Sequence, residues 1–343
     1  MSTEVKERQN YIDTIKGIGI LFVILAHIDN SPDMLVKFIH GFAMPLFFFL
    51  TGYLYNELKW NNESFLYFIK TRVTAYLKPF FGFLLFNIFI YNPFREYSKS
   101  HDLSLIPDSI LVNIKAVIPF TNDYTNFGPA VIPLWYFLCA FFSCIIFRVI
   151  FYAKKDIVRI IACIILIAVY GIMLYDGSYA LNPYLPWHIE TSFIGTALMI
   201  AGFYFRKLSS LEYKNKALVN NILMLLFPIG VCFIEINKRV DMFCYIYGRN
   251  VIEFYLAALF VIIGLFAIFA GHNISISLLS KYGRDTVLII GLNIILISFS
   301  NQIWYHLPFF KNHNFHYLIC FLAVSFILWI IIELKNRLFF RVK

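Results

Sequence analysis

The sequence predicts an all-α, polytopic membrane bundle of about ten transmembrane helices, with both termini cytoplasmic. Three observations carry this. The chain is 60% hydrophobic and only 14% charged over 343 residues, whereas a soluble domain carries about 25% charged residues. Apolar runs of membrane-spanning length recur from end to end. When those runs are threaded alternately across a bilayer, 21 Lys and Arg fall on one side and 8 on the other, the bias expected of cytoplasmic loops.

The runs follow in order. The first, about 11–29, stands behind ten mostly polar residues and has no small-residue cleavage site, so it reads as a retained helix rather than a signal peptide. Lys6, Arg8 and Lys16 put its start inside. The second, 36–55, is rich in Phe and Leu and is followed by Lys59, Lys70, Arg72 and Lys78 on the same side. The third, 73–92, leads into the longest non-cytoplasmic connection, about 93–130. That connection holds Pro93, Pro107, Pro119, Gly128 and Pro129 and reads as a cap or an acceptor-binding surface. The fourth and fifth, 131–153 and 157–175, flank a short basic turn containing Lys154 and Lys155. The sixth and seventh, 189–206 and 217–235, flank Arg206, Lys207, Lys214 and Lys216. The eighth, ninth and tenth are 249–270, 284–304 and 315–334. The membrane domain is expected over 8–335, with short cytoplasmic tails at 1–7 and 336–343.

Several function classes drop out. The net charge of +9 is spread between apolar runs and forms no patch, which argues against nucleic acid and for membrane orientation. The six cysteines lie mostly within apolar runs and have no metal-ligand spacing; they read as small buried hydrophobes. No metal site is expected, and the lipid bilayer is the first partner.

The most informative residues lie in the first run. Asp13, Lys16 and His27 sit within it or at its ends. Lys16 and His27, eleven residues apart, share one helical face about 16 Å apart along the axis. Ionisable groups in a membrane helix mark functional paths by default. With the start of the helix inside, Lys16 can hold an anionic cytosolic ligand at the inner mouth. An imidazole toward the outer end can take a proton from a hydroxyl. Gly17 and Gly19 allow close approach of a helix or a ligand. Read bottom-up, this is a group-transfer stripe across the membrane; the alternative is an Asp13–Lys16 pair anchoring the helix and a His27 reaching into headgroups.

Other candidates also have two readings. Lys70 and Arg72 bind phosphates or serve as flanking charge. Glu190, after Pro186, Trp187 and His188, orients His27, binds a sugar hydroxyl or belongs to the interfacial belt. Trp135 and Tyr136 stack on a sugar or belong to the same belt. Asn293 is helix–helix glue or a pathway residue. Arg249 and Glu253 read as a structural ion pair one turn apart.

Arg8-x-x-Tyr-Ile-Asp13-x-Ile-Lys-Gly-x-Gly-Ile, followed by Val-Ile-Leu-Ala-His27, resembles the opening of the acyltransferase 3 family, in particular its fucose 4-O-acetylase-like branch. Met44-Pro-Leu-Phe-Phe-Phe-Leu-Thr-Gly-Tyr53 resembles that family's second-helix signature. Lys70-Thr-Arg72, Leu77-Lys-Pro79, Pro133-Leu-Trp-Tyr-Phe-Leu138, Leu185-Pro-Trp-His-Ile-Glu190 and Tyr282-Gly-Arg-Asp-Thr286 with Ile290-Gly-Leu-Asn293 resemble further segments in family order. The resemblance implies an O-acyltransferase of the cell (inner) membrane of a bacterium. It would move acetyl from cytoplasmic acetyl-CoA, a donor substrate rather than a bound cofactor, to a cell-surface polysaccharide or lipid-linked oligosaccharide. It implies His27 as base or transient acyl carrier, supported by Asp13. Lys16, Lys70 and Arg72 would hold CoA phosphates, and Glu190, Trp135 and Asn293 would face the acceptor. Three positions depart from the pattern. Lys16 stands where Arg is frequent and lacks its bidentate fork. Ala43 and Asn293 stand where histidines are common; the imidazole nearest to Ala43, His40, lies a turn upstream, and Asn cannot shuttle protons. The competing readings are a glycan flippase or exporter, which needs charges facing a lumen on several spans, and a polymerase, which favours a large Arg-rich outer loop. The 93–130 connection has only Arg95.

Overall fold

A computed structural model describes residues 10–116, 129–175, 185–211, 215–305 and 316–340. The described chain is almost entirely helical. Its helices are α1 (Asn10–Ala26), α2 (Asp33–Tyr53), α3 (Glu57–Asn61), α4 (Phe65–Ser100), α5 (Ile106–Ala116), α6 (Trp135–Ile150) and α7 (Asp156–Tyr175). There follow α8 (Thr191–Ser209), α9 (Lys216–Met224), α10 (Leu226–Asn237), α11 (Val251–Phe269), α12 (Ser277–Arg284), α13 (Thr286–Tyr305) and α14 (His316–Phe340). A two-residue hairpin, β1 (Val240–Asp241) and β2 (Ile246–Tyr247), joins α10 to α11. Among the described residues seven helices are long and apolar enough to cross a membrane; α9 and α10 count together as one of these. All ten apolar runs fall on helices. The expected count of ten adds α1, only 17 residues long, α7 and α8.

The largest departure from expectation is α4. The sequence suggested a span over 73–92 and a loop from 93, but the helix runs through Phe65–Ser100. Lys70 and Arg72 therefore lie inside it rather than before it, and much of the expected loop is helical: α4 to Ser100, a 3₁₀ turn at Leu103–Leu105, and α5. Residues 117–128 of that connection lie outside the described residues. Pro93 looks like a boundary, and Pro79 lies within the expected span; proline removes an i→i−4 bond and clashes with the preceding turn. Each stands two residues after the end of a π-helical turn, Val73–Leu77 and Asn87–Tyr91, and the wider turn lets the helix continue past it. Pro228, by contrast, sits just inside α10, where the α9–α10 axis is interrupted at Leu225.

The centre of the bundle is α2, flanked by α1, α8 and α11. Its Phe42, Phe48 and Phe49 are fully buried. Backbones approach most closely at glycines. A Cβ on Gly17 would lie 2.0 Å from the Leu279 carbonyl oxygen of α12, and one on Gly52 would lie 1.8 Å from that of Met199 on α8. Such contacts draw membrane helices together where no hydrophobic force separates protein from lipid. Gly52→Ala is therefore expected to destabilise the folded protein by about 1–3 kcal/mol, read as a lower unfolding temperature in detergent. The face holding the start of α1, here the N-face, is laced with ion pairs: Arg284–Asp13, Arg159–Glu57, Lys207–Asp156, Lys281–Glu333 and Lys335–Asp285. Lys37–Glu235 and Arg239–Asp241 lie at the far face. Arg249 and Glu253 form the expected pair, at 4.0 Å.

Candidate functional site

Two cavities lie along α1. The first, about 310 Å³, is at the N-face end, between α1, α2, α3, α4, α6, α8 and the start of α13. Lys16, Thr51, Trp60, Arg72, Tyr76, Tyr136 and Cys144 are among its lining residues. Arg72 projects from α4 with its guanidinium over the Trp60 ring (5.2 Å) and the Phe68 ring (4.9 Å). Stacking of this kind holds a planar cation while leaving edge donors for an anion. The Trp60 side of the wall is fixed from behind by Arg148 of α6. This arginine is 2% exposed and donates to the Trp60 carbonyl (2.5 Å), Asn61 Oδ1 (3.2 Å) and Tyr55 Oη (3.3 Å). Short α3 is thereby bound to α6, and Tyr55 and Trp60 hold their places in the cavity wall.

The second cavity, about 220 Å³, lies toward the far face. Val23, Ala26 and His27 of α1 line it with Ile39, His40, Ala43 and Met44 of α2, Trp135 of α6, and Asp241, Met242 and Phe243 of the hairpin. His27 Nδ1 lies 2.7 Å from the Val23 carbonyl oxygen. A carbonyl only accepts, so in the neutral ring Nδ1 carries the proton and Nε2 keeps its lone pair. His40 is set in the same way, Nδ1 lying 3.1 Å from the Val240 carbonyl. Asp241 Oδ1 accepts from the Cys244 amide at 3.2 Å and its Oδ2 faces Arg239 at 3.4 Å. The hairpin is anchored by Asn237, which is buried, donates to the Tyr247 carbonyl and accepts from the Arg249 amide. Gly248, at φ +74°, turns the chain directly against Asn237 where a Cβ would not fit.

The two cavities share a wall at Ile290 of α13. Lys16 lines one and His27 the other, so the helical stripe read from the sequence runs along both.

A family model described as an acyltransferase domain, acyltransferase 3, matches residues 9–334. The chain belongs to the acyltransferase 3 family. It is an integral-membrane acyltransferase by that membership and by its apolar helices. No curated protein and no solved structure matches it.

Within this acyltransferase the sequence-nominated residues separate into two groups. Lys16 and Arg72 line the N-face cavity, and His27 and Trp135 line the far one. Asp13 is buried at the start of α1 and pairs with Arg284 at 3.3 Å, tying α1 to α12. The other three line neither cavity. Lys70 is exposed on α4 beside Arg72. Glu190 is fully buried and accepts from the Leu185 amide, which sets the turn that starts α8; no contact of it with His27 is seen among the described residues. Asn293 is fully buried one turn beyond Ile290. Its Oδ1 accepts from the Ile294 amide, and its Nδ2 has no hydrogen-bond partner among the described residues.

The structure brings His40 and Asp241 to the same cavity as His27. His40 lies three residues before Ala43, so it supplies an imidazole to the same cavity whose wall Ala43 leaves bare. The sequence itself places His40 a turn upstream of Ala43 as the nearest imidazole, and positions three apart share a helical face. Asp241 could not have been found from sequence, because its place depends on how the hairpin folds back over α2.

Proposed function

We propose that this acyltransferase is an O-acetyltransferase, with acetyl-CoA entering from the cytoplasm and a surface polysaccharide or its lipid-linked precursor accepting the acetyl group on the outer side of a bacterial inner membrane. The reading takes the ten helices as ten crossings and the N-face as cytoplasmic. Its main support is the pair of cavities meeting at Ile290, one cationic through Lys16 and Arg72 and the other bearing two imidazoles whose Nδ1 atoms are satisfied by carbonyls.

Lys16 and Arg72 hold CoA phosphates or orient its polar stem, with Lys70 at the exposed rim. The pantetheine arm reaches along α1 toward Ile290. His27 Nε2 takes the proton of the acceptor hydroxyl as the oxygen attacks the thioester carbonyl. The C–S bond then breaks, the acetyl ester forms, and the CoA thiolate leaves to be protonated as CoA-SH. Trp135 offers a flat apolar face to the sugar, and Asp241 stabilises the imidazolium that forms at His27.

The decisive assay supplies radiolabelled acetyl-CoA to membranes of the native cells and counts label in the polysaccharide fraction. Transfer that depends on this protein is expected, and its absence would overturn the reading. Lys16→Ala is expected to raise the acetyl-CoA KM about tenfold, the loss of a charge-assisted contact, and to leave acceptor KM unchanged. The opposite pattern would assign Lys16 to the acceptor.

A further inference from the structure

Ile290 is the one residue among those described that lines both cavities. The division between them runs across three helices. On α2 it falls between Met44, which lines the far cavity, and Phe47, which lines the N-face one. On α6 it falls between Trp135 and Tyr136 in the same way. On α13, Thr286 and Val287 line only the N-face cavity, and Ile290 stands at the partition itself. The collar is thus Met44, Phe47, Trp135, Tyr136 and Ile290, with no carboxylate, ammonium, guanidinium, imidazole or carboxamide among them.

Ile290 is 3% exposed and β-branched, so in a helix it holds essentially one χ1 rotamer. The helix behind it is fixed as well: a Cβ on the adjacent Gly291 would fall 2.2 Å from the Phe83 ring of α4. The Ile290 side chain is a rigid wall rather than a swinging one. A thioester carbonyl brought from the N-face cations toward the far-cavity imidazoles would come to this wall. Its alkyl tail would then lie against Ile290 as the carbonyl is attacked.

We infer that Ile290 sets the acyl-chain length this enzyme transfers, its rigid side chain closing the space beside the Met44–Phe47–Trp135–Tyr136 collar so that the tail of a two-carbon group fits and a longer tail clashes. This rests on the acyltransfer reading above. It extends it by naming the residue that selects the donor. Specificity of this sort is steric: an apolar pocket discriminates one methylene by about 10-fold or more.

The test is a competition in membranes of the native cells, with equimolar acetyl-CoA, propionyl-CoA and butyryl-CoA as probes. Acids released from the polysaccharide by mild base are quantified. Wild-type protein is expected to give acetate almost alone. Ile290→Ala is expected to shift the butyrate-to-acetate ratio by about 10-fold or more. Ile290→Val, a change mild enough to leave folding intact, should shift the propionate-to-acetate ratio several-fold in the same direction. If both variants still transfer acetyl and their ratios equal the wild-type ratio, the inference is overturned while the acetyltransfer reading stands. If Ile290→Ala loses all transfer, the Ile290→Val ratio alone decides. Wild-type membranes that transfer no acyl group from any of the three donors overturn the acetyltransfer reading, and the chain-length inference with it.

Discussion

His27→Ala is expected to lower acyl transfer by about 10²–10⁴-fold, the usual contribution of a positioned general base. It should do so while acetyl-CoA affinity is kept. The separation follows from geometry: His27 lines the far cavity, and the cations Lys16 and Arg72 line the other, beyond Ile290. The Nδ1 contact to the Val23 carbonyl makes the prediction specific. It fixes the tautomer that presents Nε2 as the acceptor, so a substitution that offers only an amide, His27→Gln, should be as inactive as alanine. His40 provides the control. Its Nδ1 is held by the Val240 carbonyl and it lines the same cavity, so His40→Ala should reduce transfer less than His27→Ala. Should His40→Ala prove the inactive variant and His27→Ala the mild one, at equal expression, the base is His40 and the role assigned to the α1 stripe fails. Kinetic measurement of kcat and both KM values for the pair separates the two outcomes.

The sequence already showed much of this because a membrane imposes simple rules. Every backbone polar group must be satisfied inside the segment, so long apolar runs could only be helices, and their order and number of turns followed. Lys16 and His27 were visible for a related reason: an eleven-residue spacing on a helix is a statement about direction, and ionisable groups are rare enough in apolar runs to stand out. What stayed hidden depended on local exceptions or on distant packing. The third span was cut short at its start by the charges of Lys70 and Arg72 and at its end by Pro93, and nothing in sequence announces the π-helical turns that let the helix run on past Pro79 and Pro93. Glu190 and Asn293 were nominated by position in a motif, which does not reveal which way a side chain turns; one sets a turn and the other is buried behind the cavity wall. Asp241 lines the cavity of His27 only because Asn237 and Gly248 fold a hairpin against α2, which brings together segments some two hundred residues apart.

Arg148 shows how a charge that orients the chain can also build the site. By sequence it is one more cation on the positive side of the bilayer. In the structure its guanidinium is buried, stacks at 4.6 Å on Tyr152 and donates to Trp60, Asn61 and Tyr55. Arg148→Ala removes a charged donor from three acceptors, two of them on buried residues. It is expected to destabilise the protein by about 3 kcal/mol, since a bond to a charged group contributes roughly 1.5–3 kcal/mol and orphaned buried acceptors cost about as much. The second consequence is functional. With α3 no longer held to α6, Trp60 ceases to be a fixed platform for Arg72, so acetyl-CoA KM should rise even in the fraction that stays folded, while acceptor KM should not. Arg148→Lys keeps the charge but not the fork, and it should recover part of the stability and less of the donor affinity. Thermal unfolding in detergent and donor KM in the same membranes measure both. If Arg148→Ala unfolds as the wild type does, the guanidinium contacts contribute nothing net. If it is destabilised but binds acetyl-CoA normally, Arg148 holds the fold alone and Trp60 needs no support to carry Arg72.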